Sequence, residues 1–166
     1  MNNNDILRRL RYSLELNDLV MIDIFGLVDH PVTRDQIRNW LKKEEDEGFE
    51  ACNDKLLATF LNGVIVHKRG KRDGETPKPE QRLSNNIIFM KLKIALNLKA
   101  EDILEMLKLA DFVISKHELS AFFRRKDHKH YRECKDQVLR YFIQGIQFKY
   151  RDKKEQKPAF QWKTPE

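Results

Sequence analysis

"LSNNIIFMKLKIALNL", residues 83–98, stands in the middle of the chain and yet reads as a beginning. The chain itself opens on "MNNNDILRRLRYSLEL", residues 1–16, where asparagines again precede an apolar stripe at helical spacing that ends in Leu-x-Leu. A shift of 82 positions lays residues 3–71 on 85–153 without a gap. Asn3, Asn4, Ile6, Leu10, Leu14 and Leu16 then meet Asn85, Asn86, Ile88, Leu92, Leu96 and Leu98. Farther on, Cys52, Asp54, Leu57, Phe60 and Gly63 meet Cys134, Asp136, Leu139, Phe142 and Gly145. This register holds 15 identities in 69 positions, an ungapped match too long for chance, and the chain is read as a tandem duplication.

Each copy carries the same four apolar patterns, which predicts an all-α protein of two tandem four-helix repeats. The first helix is expected over about residues 5–16 (87–98) and the second over 19–27 (101–109), so close behind that the two should form an antiparallel pair. "TRDQ" at 33–36 and "SKHE" at 115–118 are capping boxes that start the third helix, expected to end near Lys43 and Arg125. The fourth, about 54–67 (135–150), places Leu57, Phe60, Leu61 and Val64 on one wide stripe. Gly63 and Gly145 sit within that stripe, where glycine costs about 1 kcal/mol relative to alanine. A helix crossing too close to admit a Cβ would account for both. The expected divisions are a first repeat over 1–70, a linker with Gly and Pro among charges over 71–84, a second repeat over 85–151 and a polar tail over 152–166, in which Phe160 and Trp162 could dock on the body.

A chain of 166 residues with 40% hydrophobic content can bury a core, and no apolar run approaches the roughly 20 residues needed to cross a bilayer. The basic, leucine-rich opening is unlike a signal peptide, and two cysteines are too few for a secreted disulfide framework, so a cytoplasmic protein without membrane contact is expected. Residues 1–82 carry 14 Lys/Arg against 15 Asp/Glu, net −1, and residues 83–166 carry 18 against 11, net +7. A basic half of this kind suits nucleic-acid phosphates or an acidic protein surface.

The strings "LATFLNGVIVHKRGK", "NNIIFMKLKIALNLKAEDILEMLKLADF" and above all "SKHELSAFFRRKDHKHYRECKDQVLRYFIQGIQFKYR" resemble the YehS-like family of small bacterial proteins. The resemblance extends to about residue 151 and implies two tandem copies of a domain of unknown function in a cytoplasmic bacterial protein. It brings no catalytic or binding residues with it.

No enzyme signature emerges. "HKRGKRDG" at 67–74 lacks the spacing of a phosphate loop, and the acidic run Glu44–Glu47 reads as a solvated turn. His128, His130 and Cys134 have some flavour of a metal site, but the equivalent positions in the first copy are Asp46, Gly48 and Cys52, and no second ligand pair accompanies them. The two cysteines, at equivalent places, read as buried thiols. The chain is therefore expected to be non-enzymatic, without a metal or cofactor.

The nucleic-acid candidates are clearer. Arg34, Arg38 and Lys42 fall four apart on one face of the third helix. "RRKDHKHYR" at 124–132 concentrates Arg124, Arg125, Lys126, Lys129 and Arg132, with His128, His130 and Tyr131 interleaved as rings on which unpaired bases could stack. The expectation is a nucleic-acid-associated module, RNA ahead of DNA, because the basic residues occupy a loop with aromatics and not a groove-reading helix. The alternative is a protein-interaction adaptor or self-associating module, because the acidic run Glu44–Glu47 with Glu50 aligns with the basic run of the second copy, and segments 44–50 and 124–132 could join one molecule to another.

Overall fold

Helix starts are set by short polar side chains. Asn2, Asn17, Thr33, Asn53, Ser84 and Ser115 each accept a backbone N–H from the first turn of the helix that follows. The two capping boxes close as expected, with Gln36 and Glu118 accepting the Thr33 and Ser115 N–H groups in return. In the computed structural model, which describes residues 1–74 and 76–153, the helices are α1 (Asn3–Ser13), α2 (Asp18–Gly26), α3 (Arg34–Leu41) and α4 (Asp54–Arg69) in the first repeat. The second holds α5 (Asn85–Ala95), α6 (Ala100–Leu109), α7 (Lys116–Ala121) and α8 (Asp136–Ile146), the last prolonged by a π-helical turn over Gln147–Arg151. No strand occurs among the described residues. Phe160 and Trp162 of the tail lie outside them.

The first helix of each copy ends three residues before the apolar pattern does. Glu15 and Asn97 adopt left-handed φ values of 54° and 53°, which turns the chain so that Leu16 and Leu98 fold back into the core. The short connection does not give an antiparallel pair: α2 packs on α3 and α4, not back along α1, because this turn sends it across the bundle.

The four long helices instead run parallel. Leu83 lies against Asp54, Lys91 against Asn62, and Ile94 shares a cleft with Arg69, so α4 and α5 keep step from one end to the other. Met1 against Asp136 and Tyr12 against Arg151 give the same direction for α1 and α8. Asn3 and Asn85 donate to Asp54 and Asp136, which joins the starts within each repeat. All four helices therefore begin at one end of the molecule, the N-terminal pole, where their partial positive charges gather and where Asp54 and Asp136 compensate them. Each of these carboxylates takes its second bond from the other repeat: Asp54 from the Leu83 N–H at 2.9 Å and Asp136 from the Met1 nitrogen at 3.2 Å. Positions 1 and 83 are equivalent, as are 54 and 136, so the halves exchange identical contacts in the manner of a twofold dimer.

The core is continuous across both repeats. A Cβ on Gly63 would lie 2.7 Å from Ile24 Cγ2, and one on Gly145 2.7 Å from the Met106 carbonyl carbon, with the carbonyl oxygens closer still. The expected close crossings are thus α2 over α4 and α6 over α8. A second pairing is compensatory. Phe25 packs on Trp40 and Phe60 with ring centroids 5.6 Å from each, whereas in the second repeat the ring comes from Phe89, 6.1 Å from Phe122 and 4.2 Å from Phe142. Leu7 is the counterpart of Phe89, and Leu107 that of Phe25, so one leucine and one phenylalanine exchange places while the filled volume is kept.

Candidate nucleic-acid interface

The segment between the third and fourth helices of each copy is held at its neck by a buried asparagine. Asn4 Nδ2 donates to the carbonyls of Trp40 and Glu50, both at 2.9 Å, and its oxygen accepts the Cys52 N–H at 3.0 Å. Asn86 repeats all three bonds with Phe122, Arg132 and Cys134 at 3.0, 2.8 and 2.9 Å. A backbone bond across the neck, Glu50 to Asn39 and Arg132 to Ala121, completes the closure. What lies between is a compact surface loop at the N-terminal pole, tied at its base.

In the second copy this loop carries the basic run. Arg125 is 88% exposed and makes a loose 3.5 Å contact with Asp127. Lys126, Lys129 and Arg132 are exposed and have no ion pair among the described residues. Arg124 is different: it is half-buried, and its Nε is shielded from solvent without a hydrogen-bond partner. Tyr131 is half-buried as well, so the exposed rings are those of His128 and His130, with centroids 5.6 Å apart. In the first copy the equivalent loop exposes Glu44, Glu45, Asp46, Glu47 and Glu50. No ion pair joins the two loops among the described residues.

Arg34, Arg38 and Lys42 do not join this surface. Arg34 and Arg38 both turn to Asp18, at 3.1 and 3.4 Å, and Lys42 donates to the Glu47 carbonyl at 2.8 Å. Burial would raise the Asp18 carboxyl, but the two arginine hydrogen bonds outweigh it and hold the group below its ordinary 3.8. Sequence spacing put Arg34 and Arg38 on one face but not Lys42, which falls in extended backbone just past the end of α3, and it missed the carboxylate, 16 residues before Arg34, that neutralises the two arginines. Lys116, in the second copy, is likewise engaged, with Glu101 at 2.7 Å.

Cys134 lies under the loop, not in it. It is 1% exposed, and burial, reinforced by the Asp136 carboxylate, pushes its thiol up to about 12. Cys52 is raised to about 12 for the same reasons, burial first and then Asp54. Among the described residues no group of three His, Cys, Asp or Glu is placed to hold a metal ion, and no helix is long and apolar enough to cross a membrane.

Comparison with known proteins matches these two halves. The model of the family described as "Protein of unknown function (DUF1456)" matches residues 3–70 and again 85–152. The chain is 47% identical over 148 residues to the "Uncharacterized protein YehS" of Escherichia coli (strain K12), covering 88% of this chain and 94% of the relative. No solved structure matches.

Proposed function

We propose that this chain, which belongs to the DUF1456 family, is a non-enzymatic, cytoplasmic, nucleic-acid-associated module that uses the loop 124–132, with RNA favoured over DNA. One observation carries the reading: Lys126, Lys129 and Arg132 stand exposed on one loop with no ion pair among the described residues, whereas Arg34 and Arg38 are paired with Asp18 and Lys116 with Glu101. Crowding like charges on one loop is unfavourable, and the acidic counterpart in the first copy indicates that the fold has no need of them. Phosphates would supply the missing counter-charge, and His128 and His130 offer ring faces to unpaired bases. A loop that presents no long exposed helix suits single strands better than a major groove.

The test is a salt titration of single-stranded RNA and duplex DNA binding. The native chain should lose affinity steeply with salt, and a variant with Arg125, Lys126, Lys129 and Arg132 all changed to Glu should show a slope flatter by about three units on single strands. Arg34→Gln with Arg38→Gln should leave the slope unchanged. Equal slopes for the native chain and the four-fold variant would remove the loop from consideration.

A second reading draws on the shared pole. The acidic and basic loops flank it on opposite sides, so a second copy rotated about a perpendicular twofold would place acid on base twice. Reversing the acidic loop in one preparation and the basic loop in another should abolish self-association in each and restore a dimer on mixing. Sedimentation without such restoration would exclude this arrangement.

A further inference from the structure

We propose that the cleft between the C-terminal halves of α4 and α5 binds a small anion with a flat aromatic body. This site lies at the opposite end of the molecule from the loop 124–132 and stands independently of its role.

The internal symmetry supplies the comparison. On the α8/α1 side, the Arg151 guanidinium carbon sits 3.7 Å above the Tyr12 ring and its Nη1 donates to the Tyr12 carbonyl at 3.0 Å. The arginine is thus occupied by an aromatic face. On the α4/α5 side the equivalent residues are Arg69 and Ile94. Ile94 has no ring to offer, and Arg69 makes no hydrogen bond or ion pair among the described residues. A cleft of about 390 Å³ opens there, within the range of small-molecule sites.

The walls of this cleft are apolar and its rim is cationic. Leu27, at the end of α2, and Ile94 are 38% and 40% exposed, and the half-buried Ile65 and Val66 continue the same surface. Among the described residues, Arg69, Lys71 and Arg72 edge the opening together with the Asp73 carboxylate. The far wall is tied in place: Asn62 donates to the Pro77 carbonyl at 3.5 Å, and Lys91, 13% exposed, pairs with Glu80 at 3.0 Å and donates to Asn62 at 2.6 Å. Lys91 is therefore satisfied by the protein, and Arg69, with Lys71 and Arg72 at the rim, is left without a partner among the described residues. An aromatic ring under Arg69 would repeat the place of Tyr12 under Arg151, and an anionic substituent would meet the rim.

The probe is 1-anilinonaphthalene-8-sulfonate, titrated by calorimetry into the full chain. One molecule should bind, with perturbation of the Ile94 and Ile65 methyl resonances and none at Ile37, which is buried away from the cleft. Arg69→Gln should weaken binding about tenfold, the loss of one charge-assisted contact. Ile94→Tyr, at an exposed position that leaves the core untouched, should supply the missing ring and abolish binding while the cooperative unfolding transition is retained. The uncharged 2-naphthol should bind at least about tenfold more weakly than the sulfonate on the same basis. Native-like binding by Ile94→Tyr, or methyl shifts confined to other sites, would overturn the assignment.

Discussion

The side-chain oxygen of Asn4 accepts the backbone N–H of Cys52 at 3.0 Å, across 48 residues of chain, and the same amide donates to two further carbonyls. A side chain that satisfies three backbone groups, two of them in buried bonds, cannot be replaced by an apolar one without taking away the partner of all three. Asn4→Ala and Asn86→Ala are each expected to cost about 3 kcal/mol in urea unfolding, and Asn4→Asp no less, since a carboxylate would face the Trp40 and Glu50 carbonyls.

Gly63 and Gly145 reverse the usual effect of removing glycine from a helix. At an open position Ala would stabilise by about 1 kcal/mol. Here a Cβ meets the backbone of Ile24 or Met106, which cannot swing aside. Gly63→Ala and Gly145→Ala should each destabilise by about 2 kcal/mol or more, measured by thermal unfolding.

The exchange of Leu7 and Phe25 for Phe89 and Leu107 predicts coupling. Leu7→Phe alone adds a ring to a filled core and should cost about 1–3 kcal/mol. Adding Phe25→Leu copies the packing of the second repeat and should recover most of that loss, a coupling visible in a double-mutant cycle.

The raised thiols fix a sign at alkaline pH. The folded chain keeps protons on Cys52 and Cys134 up to about 12, whereas the unfolded chain releases them from the ordinary 9.0 upward. Stability from these groups is complete below pH 9 and declines between those values. A Cys52→Ala, Cys134→Ala variant should lose less stability on the alkaline side, and the native thiols should resist alkylation at neutral pH.

Asp136 acts in the opposite direction. The Asn85 hydrogen bond, and after it the Met1 amino group, hold its carboxyl below the ordinary 3.8. Its contribution is present above that value and is lost as the pH falls through the lower folded one. Asp136→Asn should flatten the acid limb of a stability profile, and equal acid limbs would remove the cross-repeat bond from the account.

Much of the fold was legible because the duplication, the capping boxes and the two interior glycines are local signals with fixed spacing. Less legible was the use of the doubled asparagines. Asn4 and Asn86 stand among helix-start residues, where the side chain ordinarily faces water, and only the tertiary path of the segment before Cys52 and Cys134 turns them inward. The direction of α2 was hidden for a related reason, since Glu15 and Asn97 are ordinary residues held in a left-handed turn. At the site, spacing found every cation but could not weigh them, because Asp18 pairs across the gap between α2 and α3. The open state of Arg69 appears only when Tyr12 is seen covering its counterpart.

The reciprocal bonds of Asp54 and Asp136 have an evolutionary corollary. Two separate, identical chains joined in this way would be compelled to match: any change in one loop would appear in the other, and an acidic face could never stand beside a basic one. The segment over residues 70–84 lifts that compulsion. Once the halves are written separately in one gene, the frame can stay symmetrical while its surfaces drift apart, and a single molecule can present two unlike faces at the same end.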